Sequence, residues 1–117
     1  MGDKHSHQPP TTGFNPMSRT TTYTITIGLE SPELTVEQCR AFAFIAAGKY
    51  FPEGHTIVEA TGRWTSDRGV IDEPSLIITV IGQDVDDAVR GFVSDYKRGC
   101  FQDCVLVQVT RPETFWV

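Results

Sequence analysis

Polar and apolar residues alternate one for one from Thr22 to Leu29, as Thr-Tyr-Thr-Ile-Thr-Ile-Gly-Leu, which predicts a strand with one buried face. After a turn at Ser31-Pro32-Glu33 the period lengthens. Thr35 followed three residues later by Gln38 is a capping-box pattern, and Val36, Cys39, Phe42, Ala43, Ala46 and Tyr50 then recur at helical spacing. Phe51-Pro52-Glu53-Gly54 ends this helix near Tyr50, because proline and glycine both break helices. A second strand is predicted from His55 to Thr65, with Val58, Ala60, Gly62 and Trp64 on one face and Ile57, Glu59, Thr61 and Arg63 on the other. Ser66-Asp67-Arg68-Gly69 turns the chain, and Asp72-Glu73-Pro74 leads into a third strand from Ser75 to Gly82.

A second helix is the plainest pattern in the chain. Val85, Ala88, Val89, Phe92, Val93 and Tyr96 form one apolar stripe. Asp84, Asp86 and Asp87 sit at its start and Lys97 and Arg98 at its end, as the helix dipole prefers, with Gly99 as the expected C-terminal cap. Cys104 to Thr110 reads as a fourth strand, ended by Arg111-Pro112, and Thr114 to Val117 as a short further one. The order βαββαβ is the α+β, ferredoxin-like plan, with both helices on one face of an antiparallel sheet. If Tyr23, Ile25 and Ile27 face the helices, Thr22, Thr24 and Thr26 face away. With them goes one set from Leu76/Ile78/Val80 or Ile77/Thr79/Ile81, and one from Val105/Val107/Val109 or Leu106/Gln108. Either choice leaves aliphatic side chains uncovered, at ~1.5–3 kcal/mol for each large one buried, so a homo-oligomer is expected.

The chain has 117 residues, enough for one domain. Residues 1–18 carry no periodic apolar pattern and read as a disordered tail, leaving 19–117 as the domain, with Met17 as an alternative start. No apolar run approaches the ~20 residues that cross a bilayer, so no membrane association is expected. The polar N-terminus lacks the apolar stretch of a signal peptide, which points to the cytoplasm. Ten Lys+Arg against fifteen Asp+Glu give a net charge of −5. An acidic domain without a basic cluster does not have the footprint of a nucleic-acid binder and favours cationic ligands. Cys39, Cys100 and Cys104 are expected as reduced thiols, and their spacing does not make a zinc site, so no metal or other cofactor is implied. His5 and His7 lack a third ordered ligand.

Nucleophile-elbow, zincin, Walker and Rossmann patterns are all absent. His55, the only histidine in the domain, reads as an exposed loop residue. The unusual stretch is Glu59-Ala60-Thr61-Gly62-Arg63-Trp64, followed by Asp72-Glu73-Pro74. Gly62 inside a strand permits close approach of a ligand or backbone, Trp64 offers a flat surface for a nucleobase or cation, and Glu73 offers an acceptor for an ammonium group. The bland alternative is a bulge at Gly62, a core Trp64 and a solvated Glu73.

Thr61-Gly62-x-Trp64, a glutamate nine residues after the aromatic, and Gln102-Asp103-Cys104-Val105-Leu106-Val107 together resemble the phage-encoded S-adenosylmethionine (SAM) lyases, over about Tyr23 to Val109. Where those relatives carry Tyr, this chain has Trp64, so no phenol role carries over. Phe51-Pro52-Glu53-Gly54-x-Thr56 through Gly62-x-Trp64 to Glu73-Pro74-Ser75 also resembles a bacterial domain family of unknown function with the same element order. The lyase resemblance implies a GlnB-like trimer with sites between subunits, acting against host restriction–modification. It implies cleavage of SAM to 5′-methylthioadenosine and homoserine lactone by attack of the substrate's own carboxylate. Glu73 would then anchor the amino group, Gly62, Arg63 and Trp64 would border the substrate, and Gln102 and Asp103 would reach across the subunit boundary. The competing readings are a non-catalytic GlnB-like module binding a nucleotide or metabolite, and a phage protein inhibitor.

Overall fold

The computed structural model describes residues 15–16 and 20–117. Along the chain run β1 (Asn15–Pro16), β2 (Thr21–Gly28), α1 (Val36–Tyr50), β3 (Thr56–Ser66), β4 (Gly69–Gly82), α2 (Asp86–Gly99), β5 (Leu106–Thr110) and β6 (Phe115–Trp116). Four strands form one antiparallel sheet in the order β3-β4-β2-β5, while β1 and β6 pair separately. Of the expected tail, 15–16 are therefore paired with Trp116 and Phe115, and its remaining residues, with His5, His7 and Met17, lie outside the described residues. Among the described residues no helix is long and apolar enough to cross a membrane.

Alternation in β2 decides the two faces. Tyr23, Ile25 and Ile27 are buried beneath the helices beside Leu76, Ile78 and Val80 of β4. Ile77, Thr79 and Ile81 consequently line the open face with Thr22, Thr24 and Thr26, joined from β5 by Leu106 and Gln108. Val58, Ile81 and Leu106 are exposed there. β4 is longer than the sequence pattern predicts, because pairing with β3 continues from Ser75 through Pro74 and Asp72 to the Ser66/Gly69 turn. Beyond Ser75 the partner β2 has ended, so the arm has only two strands. Pro74 fits there: its carbonyl accepts Leu29 N–H at 2.9 Å on the β2 side, where no further ladder bond needs its missing N–H.

The capping box forms as expected, with Thr35 Oγ1 accepting Gln38 N–H at 3.1 Å and Gln38 Oε1 accepting Thr35 N–H at 2.9 Å. α1 buries Cys39, Ala43, Ala46 and Ala47 against the sheet and lays two aromatics on α2. A Cβ on Gly99 would lie 2.4 Å from the Phe42 ring, and one on Gly91 would lie 2.6 Å from the Tyr50 ring. Phe42 and Tyr50 are eight residues apart, as are Gly91 and Gly99, so two rings drop into two notches and set the antiparallel helix register.

Gly99 is thus a packing residue and not the expected cap. The C-terminal cap of α2 is instead Cys100, and Phe101 takes the left-handed position (φ 57°) that glycine usually fills after a helix. Cys39 and Cys100 are buried free thiols and Cys104 is exposed. Burial pushes the Cys100 thiol up to about 12, with help from the neighbouring Cys39.

Candidate functional site

The conserved geometry of an antiparallel ladder places Glu73 of β4 directly opposite Gly62 of β3. Trp64, two residues along β3, and Ser75, two residues along β4, share that face by the period of two. Two glycines clear the ground around them. A Cβ at Gly62 would sit 2.7 Å from Ser75 Oγ and 3.0 Å from Trp64 Nε1, and one at Gly28 would sit 2.6 Å from Glu73 Oε2. The Trp64 indole therefore lies back over Gly62, and the Glu73 carboxylate lies over Gly28.

One hydrogen bond reaches this carboxylate, and others brace the backbone around it. Glu30 N–H donates to Glu73 Oε2 at 3.3 Å, and Gln102 Nε2 donates to the carbonyl of the same Glu30. The buried Ser75 hydroxyl donates to the Glu73 carbonyl at 3.3 Å. Beneath the site the Tyr96 phenol donates to Gly28 O. Burial, foremost, and then the nearby Cys100, Cys39 and Glu73 push its ionisation well above the ordinary tyrosine range, so Tyr96 stays a neutral donor.

Of the residues singled out in the sequence, Gly62, Trp64 and Glu73 come together on one face, and Gln102 joins them through Glu30. Gln102 spends its side-chain amide within its own chain. Arg63 points to the opposite face of the arm, where its Nε and Nη2 bond the two Asp72 oxygens at 2.7 and 3.0 Å. Asp103 is exposed at the approach to β5. His55 lies seven residues before Gly62, roughly 23 Å along an extended strand, and its Nδ1 is 3.1 Å from Phe51 O. Sequence reasoning did not reach Gly28, Ser75 or Tyr96. The signal for Gly28 was present: it stands where the alternation of β2 calls for another threonine, the same kind of interruption that drew attention to Gly62.

A separate groove of about 570 Å³ runs between α2 and β5 on the helix side. Its floor is Val89, Val93, Val107 and Val109, and Glu73 has no part in it.

No family model matches the chain, and no curated protein matches it in sequence. Solved structures do. One is a phage SAM lyase in complex with S-methyl-5′-thioadenosine, at 17% identity and a TM-score of 0.59, over 82% of this chain and 88% of that one. CutA from Synechococcus elongatus matches at 9% identity and a TM-score of 0.55, over 86% and 83%. CPII from Thiomonas intermedia, a nitrogen regulatory PII-like protein bound to ADP, AMP and bicarbonate, matches at 14% identity and a TM-score of 0.53, over 88% and 99%. The fold is ferredoxin-like, of the GlnB type. At these identities the similarity speaks for the fold and not for the chemistry.

Proposed function

We propose that the chain is a SAM lyase, releasing 5′-methylthioadenosine and homoserine lactone. The observation that carries this reading is the Glu73 carboxylate, steered by Gly28 and Glu30 N–H, on the same sheet face as Gly62 and the Trp64 indole. A carboxylate and a flat π surface on one face suit a ligand with an ammonium group and, a short methylene chain away, a sulfonium. The shared fold with a phage SAM lyase holding a nucleoside thioether supports it.

In this reaction the substrate's carboxylate oxygen forms a bond to the γ-carbon while the Cγ–S bond breaks, its electron pair neutralising the sulfonium. Opposite charges cancel in the transition state, so replacing water around them lowers the barrier, and folding the methionine chain into a near-attack shape lowers it further. No step needs a proton acceptor. Glu73 anchors the α-amino group, Trp64 and the Gly62 backbone border the sulfonium, and Gln102 steadies Glu30 against Glu73. In one chain the site lies open on the sheet face, so a homotrimer is proposed in which a neighbouring subunit closes it. Asp103 and Arg63, both exposed, are available to that neighbour. Depletion of SAM in a host cytoplasm would blunt restriction–modification, and that is the proposed biological role.

The test is incubation with SAM in ¹⁸O-enriched water, followed by NMR. Lactone should appear first and unlabelled, and later opening at its carbonyl should label the carboxylate and not the γ-hydroxyl. Chelator should leave the rate unchanged. Early label on the γ-oxygen would replace the lyase by a hydrolase. The second reading, a GlnB-like binding module, is favoured by the shared fold with CPII; thermal stabilisation by SAM or a nucleotide without any product would establish it.

A further inference from the structure

Phe101 is the residue whose conformation the fold itself does not repay. Among the described residues only Asp84 and Phe101 have a positive φ without being glycine. Aspartate tolerates the left-handed region, but for a bulky side chain it is a true outlier. At this place after a helix glycine would be free of strain. Gln102 N–H donates to Lys97 O at 3.0 Å, the six-to-one bond of a Schellman end, and that bond requires a left-handed residue at position 101. Burial does not compensate, since Phe101 is 52% exposed. A strained backbone and a half-solvated ring both work against this residue in the isolated chain.

Its location suggests what repays it. Phe101 is joined directly to Gln102, whose side chain holds Glu30 O, and Glu30 N–H holds the Glu73 carboxylate. The backbone at position 101 is thereby linked, through Gln102 and two hydrogen bonds, to the group proposed to anchor the amino acid end of SAM. Trp64, lying over Gly62 opposite Glu73, is placed for the nearby sulfonium. The purine at the far end of the substrate still needs a flat apolar partner. We infer that Phe101 is that partner, a substrate-binding aromatic that stacks on the adenine ring and makes the site selective for a purine nucleoside. The inference rests on the lyase reading for its substrate, and strain at a ligand clamp is where such backbone outliers gather.

The test compares Phe101→Gly and Phe101→Trp with wild type in SAM cleavage, in binding of 5′-methylthioadenosine, in thermal melting and in oligomer size. Phe101→Gly removes strain and ring together, so it should melt at or above wild type. Its KM for SAM and its dissociation constant for 5′-methylthioadenosine should nonetheless rise roughly five- to hundred-fold, the range expected for losing one base–aromatic stack, with kcat changed far less. Phe101→Trp, which keeps a flat face, should stay within about threefold of wild type in both. Unchanged KM and nucleoside affinity in Phe101→Gly would overturn the inference while leaving the lyase intact. A lower melting temperature or a smaller oligomer in Phe101→Gly would also overturn it, by showing that the ring packs within the assembly. If wild type binds 5′-methylthioadenosine without cleaving SAM, the lyase reading fails and the affinity comparison still decides the role of Phe101. If wild type binds no adenine nucleoside, both fall.

Discussion

At the scale of single residues, the site is made by what two positions leave out. Glu73→Gln keeps the shape and the hydrogen bond from Glu30 but removes the charge proposed to face an ammonium group. SAM cleavage should fall roughly ten- to hundred-fold with the melting temperature unchanged, as read by chromatography of methylthioadenosine. Gly28→Ala should have the same effect for a different reason. Its Cβ would stand 2.6 Å from the Glu73 carboxylate, the flexible end of a side chain, so the carboxylate must swing away while the fold survives. Full activity in Gly28→Ala would show that the observed Glu73 position is not the working one.

At the scale of elements, glycines in helices divide into two kinds. Gly91 and Gly99 receive the Tyr50 and Phe42 rings, so Gly99→Ala should cost ~1–3 kcal/mol by overpacking, measured by urea denaturation. Gly48 of α1 has nothing within 4 Å of its missing Cβ, so Gly48→Ala should stabilise by ~0.5–1 kcal/mol. The two helices are also tied by Asp95 of α2, which accepts from Tyr50 of α1 as well as from Arg98 of its own helix. The Tyr50 hydrogen bond, ahead of Lys49 and Arg98, holds the Asp95 carboxyl below its ordinary value of 3.8. A carboxyl lowered in the folded state adds stability above its unfolded pKa, and that stability is lost as pH falls through the folded value. Asp95→Asn should therefore flatten the loss of stability below about pH 4 in acid titrations followed by circular dichroism.

At the scale of the whole molecule, the proposed homotrimer draws on the open sheet face. Val58, Ile81 and Leu106 stay exposed on it in a single chain. A pair of charges, Ile81→Asp with Leu106→Asp, should reduce the particle to a monomer in light scattering and abolish cleavage, with the helix-side core undisturbed. Deleting residues 1–18 removes the pairing of 15–16 with Phe115 and Trp116 but no buried residue of the sheet-and-helix core. Melting temperature and activity should both persist.

The element order was legible in the sequence because each element has its own local signal. The threonine–isoleucine alternation of β2, the Thr35/Gln38 box and the Val85–Tyr96 stripe depend on residues near one another in the chain. From these the ferredoxin-like plan follows, as does the proximity of Gly62 and Trp64. Other features arise from contacts distant in sequence, and only the tertiary structure decided them. Alternation alone could not say whether Leu76 or Ile77 faces the helices, since both sets are apolar; pairing with β2 settles it. Gly99 has the signature of a helix cap, yet packing of Phe42, fifty-seven residues earlier, claims it and leaves Phe101 with the strained position. Glu73 could be suspected as a ligand in one dimension. Its neighbours Gly28 and Glu30, and the Gln102 that holds Glu30, come from two other parts of the chain, and pairing of β2 with β4 and docking of α2 bring them to it.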